Sequence, residues 1–339
     1  MTMKLNKTDV AIIGAGPVGL FAIFECGMMR LKCHVIDALE MVGGQCTALY
    51  PEKPIYDIPG FPKILAADLI GNLEAQAAPF HPTYHLNQQV IGLERTEEGA
   101  WRLETSTGTR IEAKAVLIAA GVGAFGPNRP PLEGLEAFEG KSVFYYVNNR
   151  EAFRGKRLVI AGGGDSAVDW ALSLSEIAQK ITVVHRRPKF RAAPESEAAL
   201  HALAHAGVID LAIPYQLEGL RGEEGNLETV ILKSLEGALQ EVPADALLPF
   251  YGLATDLGPL GGWGLEVHSN HLKVAPDTCA TNLSGIFAIG DIATYPHKLK
   301  LILTGFAEAA LAAHEIRGFI HPDQVYHFEY STTSGVPGE

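Results

Sequence analysis

The chain has 339 residues, 47% of them apolar and 19% charged. At ~150 residues per domain this suggests about two domains, and the apolar content excludes a disordered chain. Its 27 basic and 39 acidic residues leave a net charge of −12, which argues against nucleic acid or an anionic membrane as the main partner, since both need a cationic surface. The longest unbroken apolar run, Val10 to Phe24, has 15 residues including three Gly and one Pro. That falls short of the ~20 residues that span a bilayer. The polar first nine residues lack a secretory-signal pattern, so a cytoplasmic protein is expected. The four cysteines, Cys26, Cys33, Cys46 and Cys279, form no C-x-x-C and no zinc or iron–sulfur spacing.

In chain order, Thr8-Asp-Val-Ala-Ile-Ile-Gly-Ala-Gly-Pro-Val-Gly19 reads as an apolar strand entering G-x-G-x-x-G at Gly14, Gly16 and Gly19. A helical pattern runs to Arg30, and a second strand, Cys33-His-Val-Ile-Asp37, ends on a carboxylate. Asp37 lies 18 positions beyond the last glycine, close to the ~20 expected of an acidic residue that binds a ribose hydroxyl. Alternation in Val90-Ile-Gly-Leu-Glu94 and Trp101-Arg-Leu-Glu-Thr105 predicts antiparallel strands. The strand Ala115–Gly121 leads into a Gly/Pro-rich link that runs to Pro131.

A second glycine unit follows. Lys156-Arg-Leu-Val-Ile-Ala-Gly-Gly-Gly-Asp-Ser-Ala167 places Gly162, Gly164 and Ala167 in the three small positions. A helix to about Ala178 and a strand, Ile181–His185, complete it. Here no carboxylate ends the strand; Arg186 and Arg187 stand there, with Arg191 just beyond. A terminal carboxylate accepts from a free ribose diol and repels a 2′-phosphate, whereas arginines attract that phosphate. Two such units with opposite endings predict two different dinucleotides. Another link lies near Leu248 to Gly252. The strand Asn282–Asp291 then ends in Gly-Asp and precedes an apolar helix from about Leu301 to Gly318. Asp291 would thus lie at a strand's carboxyl end, where doubly wound sheets bind ligands. The expected class is α/β with two Rossmann-like dinucleotide-binding domains. The second domain, 122–250, is inserted between the two parts of the first, 1–121 and 251–339.

The order G-x-G-x-x-G, Gly43-Gly-Gln-Cys46, Ala119-Ala-Gly121, Gly162-Gly-Gly164, His185-Arg-Arg-x-x-Phe-Arg191 and Gly290-Asp291 resembles the low-molecular-weight thioredoxin reductases. Those enzymes carry a redox C-x-x-C before the second glycine turn. This chain has Phe144-Tyr-Tyr-Val-Asn-Asn-Arg-Glu151 there instead. Longer runs, Tyr50 to Phe61, Leu257 to Leu265, Gly290 to Tyr295, Lys298 to Phe306 and Tyr330-Ser-Thr-Thr333, resemble the thioredoxin-reductase-like ferredoxin–NADP+ reductases.

The resemblance covers nearly the whole chain and implies FAD in the first domain, NADP(H) in the second, a homodimer, and ferredoxin or flavodoxin as redox partner. It implies that Asp37 holds the adenosine ribose and that Gln45 and Asp291 contact the flavin half. Val90 would meet the adenine through its backbone, and Phe125 would touch the cofactor just past the crossover. Tyr50 and Tyr330 would stack on opposite faces of the flavin, Tyr330 from a C-terminal tail, with Thr332 close to the ring. Gly162, Gly164, Ser166, Arg186, Arg187 and Arg191 would hold the nicotinamide nucleotide.

No residue is expected to act as acid, base or nucleophile, because the flavin carries the chemistry. Two related activities stay open: a disulfide reductase working through Cys46, and a diaphorase. A redox-sensing flavoprotein without turnover is a further alternative. Because ferredoxins are usually acidic, docking would need a local basic patch, for which Lys53, Lys63, Lys298 and Lys300 are the candidates. His201 and His205 are four apart, but Ala202 breaks the H-E-x-x-H pattern, so no metal is expected.

Overall fold

The computed structural model describes residues 5–324 and 335, with backbone alone at 124–127 and 253–255. The chain divides into two compact units, residues 1–125 with 255–339 and residues 126–254. It passes from one to the other through Ala124–Pro127 and Leu253–Asp256, which pair as a two-stranded ribbon.

The first unit is built around the strand Leu5–Ile13. Val10 and Ile12 enter the core on one side of the sheet, while Ala11 and Ile13 enter the core on the other. Burial on both faces explains the continuous apolar run. This strand pairs in parallel with Cys33–Ile36 and with Arg110–Ile118. Thr83–His85 adds in parallel beyond Cys33–Ile36.

Arg110–Ile118 changes partner along its length. Its first half pairs antiparallel with Trp101–Thr105, which in turn pairs with Val90–Arg95. Its second half pairs in parallel with Ile286–Ala288, more than 160 residues away. Registers Ile13↔Ile36, Ile13↔Ile118 and Ile118↔Ala288 align the carboxyl ends of four strands on one edge. Gly14, Asp37, Ala119 and the Gly290-Asp291 turn all lie just past that edge.

Three helices, Pro17–Met28, Ala66–Ala77 and Ile302–Ile320, share the core on the Val10 and Ile12 side of the sheet. Pro17–Met28 starts with Pro in its first turn, where the missing N–H has no intrahelical partner to lose. It gives way at Arg30, whose φ of 58° is left-handed. Ile302–Ile320 packs against it so closely that a Cβ on Gly305 would stand 2.3 Å from Val18 Cγ2.

The second unit has a parallel sheet in the order Ile209–Ala212, Lys180–Val184, Arg157–Ala161, Ala246–Pro249. Asp165–Leu174 and Pro194–His205 are its helices, and a three-stranded antiparallel meander, Tyr215–Pro243, completes it.

Two elements are shorter than the sequence pattern suggests. The helix expected to reach Ala178 ends at Leu174, whose carbonyl accepts from both Ile177 and Ala178 N–H in a closing turn. The strand expected over 282–291 is only Ile286–Ala288. Asn282 bonds sideways to the backbone of Gly264 and Glu266, and Gly285 (φ 83°) and Gly290 (φ 71°) turn the chain at both ends.

Candidate functional site

A cavity of about 430 Å³ opens in the first unit at the carboxyl edge of its parallel strands. That size is typical of a small-molecule site, and so is the place in an open α/β sheet. Gly14, Gly16, Asp37, Gln45, Tyr50, Val90 and Asp291, all singled out from the sequence, line it together.

The floor is the first glycine turn. Gly14 has φ 107°, and a Cβ there would sit 2.3 Å from the Ala119 carbonyl oxygen. Only glycine fits so close to the neighbouring strand. Gly19 does not line the cavity; a Cβ on it would meet the Gly14 carbonyl oxygen at 2.0 Å, so its part is to seat the helix on the turn. Gly43 N–H donates to Ala15 O at 2.8 Å, and Gly44 lies against Gly16. The Gly43–Cys46 loop is thereby strapped onto the first turn, and Gln45 reaches over Gly121.

Asp37 ties the turn to the end of the second strand. Oδ2 accepts from Ala15 N–H at 2.6 Å and Oδ1 from Leu39 N–H at 2.8 Å. Burial pushes its carboxyl up and the two N–H donors pull it partly back. Each carboxylate oxygen retains a lone pair that can accept from a hydroxyl. These features fit the ribose and pyrophosphate of a dinucleotide.

At the other end, Cys46 S–H points to the Tyr50 hydroxyl at 3.9 Å. Burial pushes the Cys46 thiol up to about 11, so it is protonated at neutral pH and a poor nucleophile. Tyr50 is raised further still by burial. Burial also raises the Asp291 carboxyl, while Lys300 and Lys298 draw it down. Ile302, the first residue of the long helix, lines the cavity, so the positive end of that helix dipole faces the site.

Sequence reasoning assigned no role to Gln88, Gln89, Leu257, Leu260 or Trp263, which also line the cavity. Leu257, Leu260 and Trp263 belong to the run Leu257 to Leu265, but an apolar loop carries no chemical signal of its own. Gln88 had even less signal. Its N–H donates to the Asp37 carbonyl at 3.0 Å and its Oε1 accepts from Thr105 and Thr107, a set of contacts set only by tertiary structure.

In the second unit, Gly162 leaves no room for a side chain, since a Cβ would lie 2.6 Å from the Phe250 carbonyl oxygen. Gly164 caps the helix Asp165–Leu174, with Ser166 exposed in its first turn. The arginine loop is tied to this turn by Arg191 N–H to Gly163 O at 2.6 Å and by Ala193 N–H to Asp165 Oδ1 at 2.9 Å. Arg186, Arg187 and Arg191 are all exposed, with no salt bridge among the described residues. His185 packs beneath the turn against Phe190, with ring centroids 5.1 Å apart. Burial, reinforced by the three arginines, holds it below the ordinary histidine range. These exposed cations beside a helix N-terminus suit a phosphorylated nucleotide.

Phe125 lies on the crossover strand, where its side chain is not described, and Tyr330 and Thr332 lie outside the described residues. One lysine expectation is corrected. Lys298 does not belong to a surface patch, because its side chain is 5% exposed and ion-paired with Glu308, itself 2% exposed. Lys300 is exposed and donates to His271 Nε2 at 2.7 Å. Lys63 is exposed, and the Lys53 ammonium lies 5.9 Å from the centre of the Tyr50 ring. Among the described residues no cluster of three metal-ligating side chains occurs, and no helix is long and apolar enough to cross a membrane.

The family model described as pyridine nucleotide-disulphide oxidoreductase matches residues 8–313. The ferredoxin–NADP reductase of Paramagnetospirillum magneticum is 63% identical over 335 residues, covering 99% of each chain. That of Rhodospirillum rubrum is 63% identical over 335 residues, covering 98% of this chain and 97% of its own. Among solved structures, the thioredoxin reductase of Lactococcus lactis matches with a TM-score of 0.80 at 24% identity, covering 93% of this chain and 99% of its own. The last likeness concerns the fold, whereas the first two concern lineage. The chain belongs to the pyridine nucleotide-disulphide oxidoreductase family, and within it to the ferredoxin–NADP reductases.

Proposed function

We propose that the chain is an FAD-dependent ferredoxin–NADP+ reductase, with FAD in the first unit and NADP(H) in the second. The observation that carries this reading is the contrast between the two glycine turns. One is finished by the half-buried carboxylate of Asp37, the other by three exposed arginines. When bound, FAD supplies hydride exchange with the nicotinamide and single-electron exchange with an iron–sulfur or flavin protein.

The chain's own residues bind, orient and exclude water. Gly14 and Gly16 let the backbone approach the pyrophosphate, Asp37 accepts from the ribose, and Val90 offers backbone groups to the adenine. Gln45 and Asp291 address the flavin half, and Tyr50 packs against the ring with its hydroxyl facing Cys46. In the second unit Gly162, Gly164 and Ser166 form the pyrophosphate turn, and Arg186, Arg187 and Arg191 take the 2′-phosphate. For Phe125, Tyr330 and Thr332, a part in binding the flavin is proposed from the sequence resemblance alone.

A dithiol reductase needs two thiols within ~7 Å Cα separation, one of them readily ionised. Cys46 lines the cavity with its thiol held protonated, and all four cysteines are unbonded and buried. This favours electron transfer over disulfide chemistry. Unbonded, buried cysteines also suit a reducing compartment, so we place the protein in the cytoplasm. We take a homodimer as the working unit, which light scattering would check.

The decisive assay compares NADPH-driven reduction of purified ferredoxin, flavodoxin and thioredoxin. Turnover with ferredoxin or flavodoxin is expected. Turnover with thioredoxin alone would overturn the reading, and binding of NADPH without reduction of any acceptor would favour a sensor.

A further inference from the structure

The long helix Ile302–Ile320 buries Gly305, Ala309, Ala312, Ala313 and Ile316 along one face. Glu308 interrupts this small, apolar stripe and is 2% exposed. A lone carboxylate there would be strongly destabilising, and even a paired one is seldom better than an apolar residue of the same size. Stability by itself therefore does not explain it.

Among the described residues, the three donors to the Glu308 side chain all come from the segment that follows the strand Ile286–Ala288, in which Ala293–Thr294 also pairs with Leu272–Lys273. Gly290 N–H donates to Oε2 at 2.7 Å, the Tyr295 hydroxyl donates to Oε1 at 2.6 Å, and the Lys298 ammonium pairs with Oε1. Lys298 is turned back into the protein by a tight turn in which its N–H bonds Tyr295 O at 3.2 Å and His297 takes φ 65°. Its ammonium also lies 5.2 Å from the centre of the Tyr295 ring. The loop is thus pinned at both its start and its end by one carboxylate. Between the pins sits Asp291, which lines the cavity.

We propose that Glu308, with Lys298 as its counter-ion, is a positioning residue of the flavin site: it clamps the Gly290–Lys298 loop and so sets where Asp291 presents its carboxylate to the cofactor. This rests on reading the cavity as the FAD site. Glu308 itself does not line the cavity. Lys298 serves both carboxylates, since it pairs with Glu308 and draws the half-buried Asp291 down, while the Glu308 charge alone would push Asp291 up. The clamp therefore delivers Asp291 without adding a second uncompensated negative charge near it.

Two double variants separate the clamp from mere core filling. Both Glu308→Gln with Lys298→Met and Glu308→Leu with Lys298→Met remove the ion pair without leaving a buried charge. Only the first keeps an acceptor for Gly290 N–H, and its NH₂ can donate to the Tyr295 hydroxyl oxygen in place of the bond that hydroxyl gave. The readouts are the FAD dissociation constant, from flavin fluorescence on diluting the holoenzyme, and the flavin midpoint potential. The Gln/Met protein is expected to hold FAD within about threefold of wild type. The Leu/Met protein should bind at least about tenfold more weakly, the equivalent of about 1.4 kcal/mol, with a displaced potential.

Equal affinities and potentials in the two doubles would overturn the proposal. Should the Leu/Met protein fail to fold, amide exchange at Gly290 in the Gln/Met protein decides. Protection with retained affinity supports the clamp, and an unprotected amide with unchanged affinity overturns it. A wild-type protein that neither carries nor takes up FAD would instead overturn the cofactor reading beneath it.

Discussion

Replacing Asp37 by Asn separates the service this carboxylate gives the fold from the one it gives a ligand. In the native protein its two oxygens each accept one backbone N–H, from Ala15 at 2.6 Å and Leu39 at 2.8 Å. An amide keeps one acceptor and turns its NH₂ against the other donor. One charge-assisted bond is lost, worth about 1.5–3 kcal/mol, and a buried N–H is left unpaired at about 1–3 kcal/mol. Part of this is offset, because burial already disfavours the charged carboxyl and the neutral amide escapes that penalty. A net loss of about 1–3 kcal/mol in the FAD-free protein is expected.

Ribose hydroxyls accepted by the same carboxylate add a second loss, about 100-fold in FAD affinity, or about 2.7 kcal/mol. At FAD held at 100 times the wild-type dissociation constant, the cofactor stabilises wild type by about 2.7 kcal/mol but the variant by only about 0.4 kcal/mol. Urea unfolding with and without FAD measures both terms. If the variant loses stability without FAD yet gains as much from FAD as wild type does, the carboxylate serves only the turn and the ligand role is refuted.

Changing Arg186 and Arg187 to Ala should raise the KM for NADPH by about ten- to a hundredfold through lost charge-assisted phosphate bonds, and leave NADH nearly unchanged. Equal loss with both nucleotides would mean that the arginines serve the fold. Cys46→Ala should keep its NADPH-driven ferredoxin reduction, since the thiol it removes is pushed up to about 11 and stays protonated. A wild type that reduces thioredoxin beside a Cys46→Ala protein that does not would contradict this.

His34 and His85 share a hydrogen bond at 3.0 Å, and burial holds both below the ordinary range, with His85 adding to the effect on His34. The unfolded chain therefore takes protons first as pH falls. Stability should be full above about 6.5 and decline as pH drops through the depressed folded values. The profile should flatten when both become Gln; identical profiles from thermal unfolding across pH 5–8 (about the range in which histidine titrates) would refute it.

Much of the site was legible because glycine and charge have few alternative explanations at fixed spacing. A Gly at φ 107° under a neighbouring carbonyl, an Asp at the end of the next strand, and arginines in the matching place of a second unit each answer a local steric or electrostatic demand. Such demands act over a few residues, so they leave a pattern in the chain. The two strand–turn–helix units and the antiparallel pair at 90–105 were readable for the same reason.

Long-range placement was not readable. The strand Ile286–Ala288 adds to Arg110–Ile118 only because the hairpin partner Trp101–Thr105 covers just the first half of that strand. That junction brings Asp291 to the edge where Gly14 and Asp37 lie. Lys298 illustrates the limit most plainly. In the sequence it is one lysine among several near a flavin motif, a natural surface charge for docking an acidic protein. In the folded chain it is buried against Glu308, ten residues away on a helix whose face only packing could turn inward. Residue types and spacings determined which chemistry the chain carries. Burial, which depends on every element packed around a side chain, decided which charges face a ligand and which hold the loop beneath it.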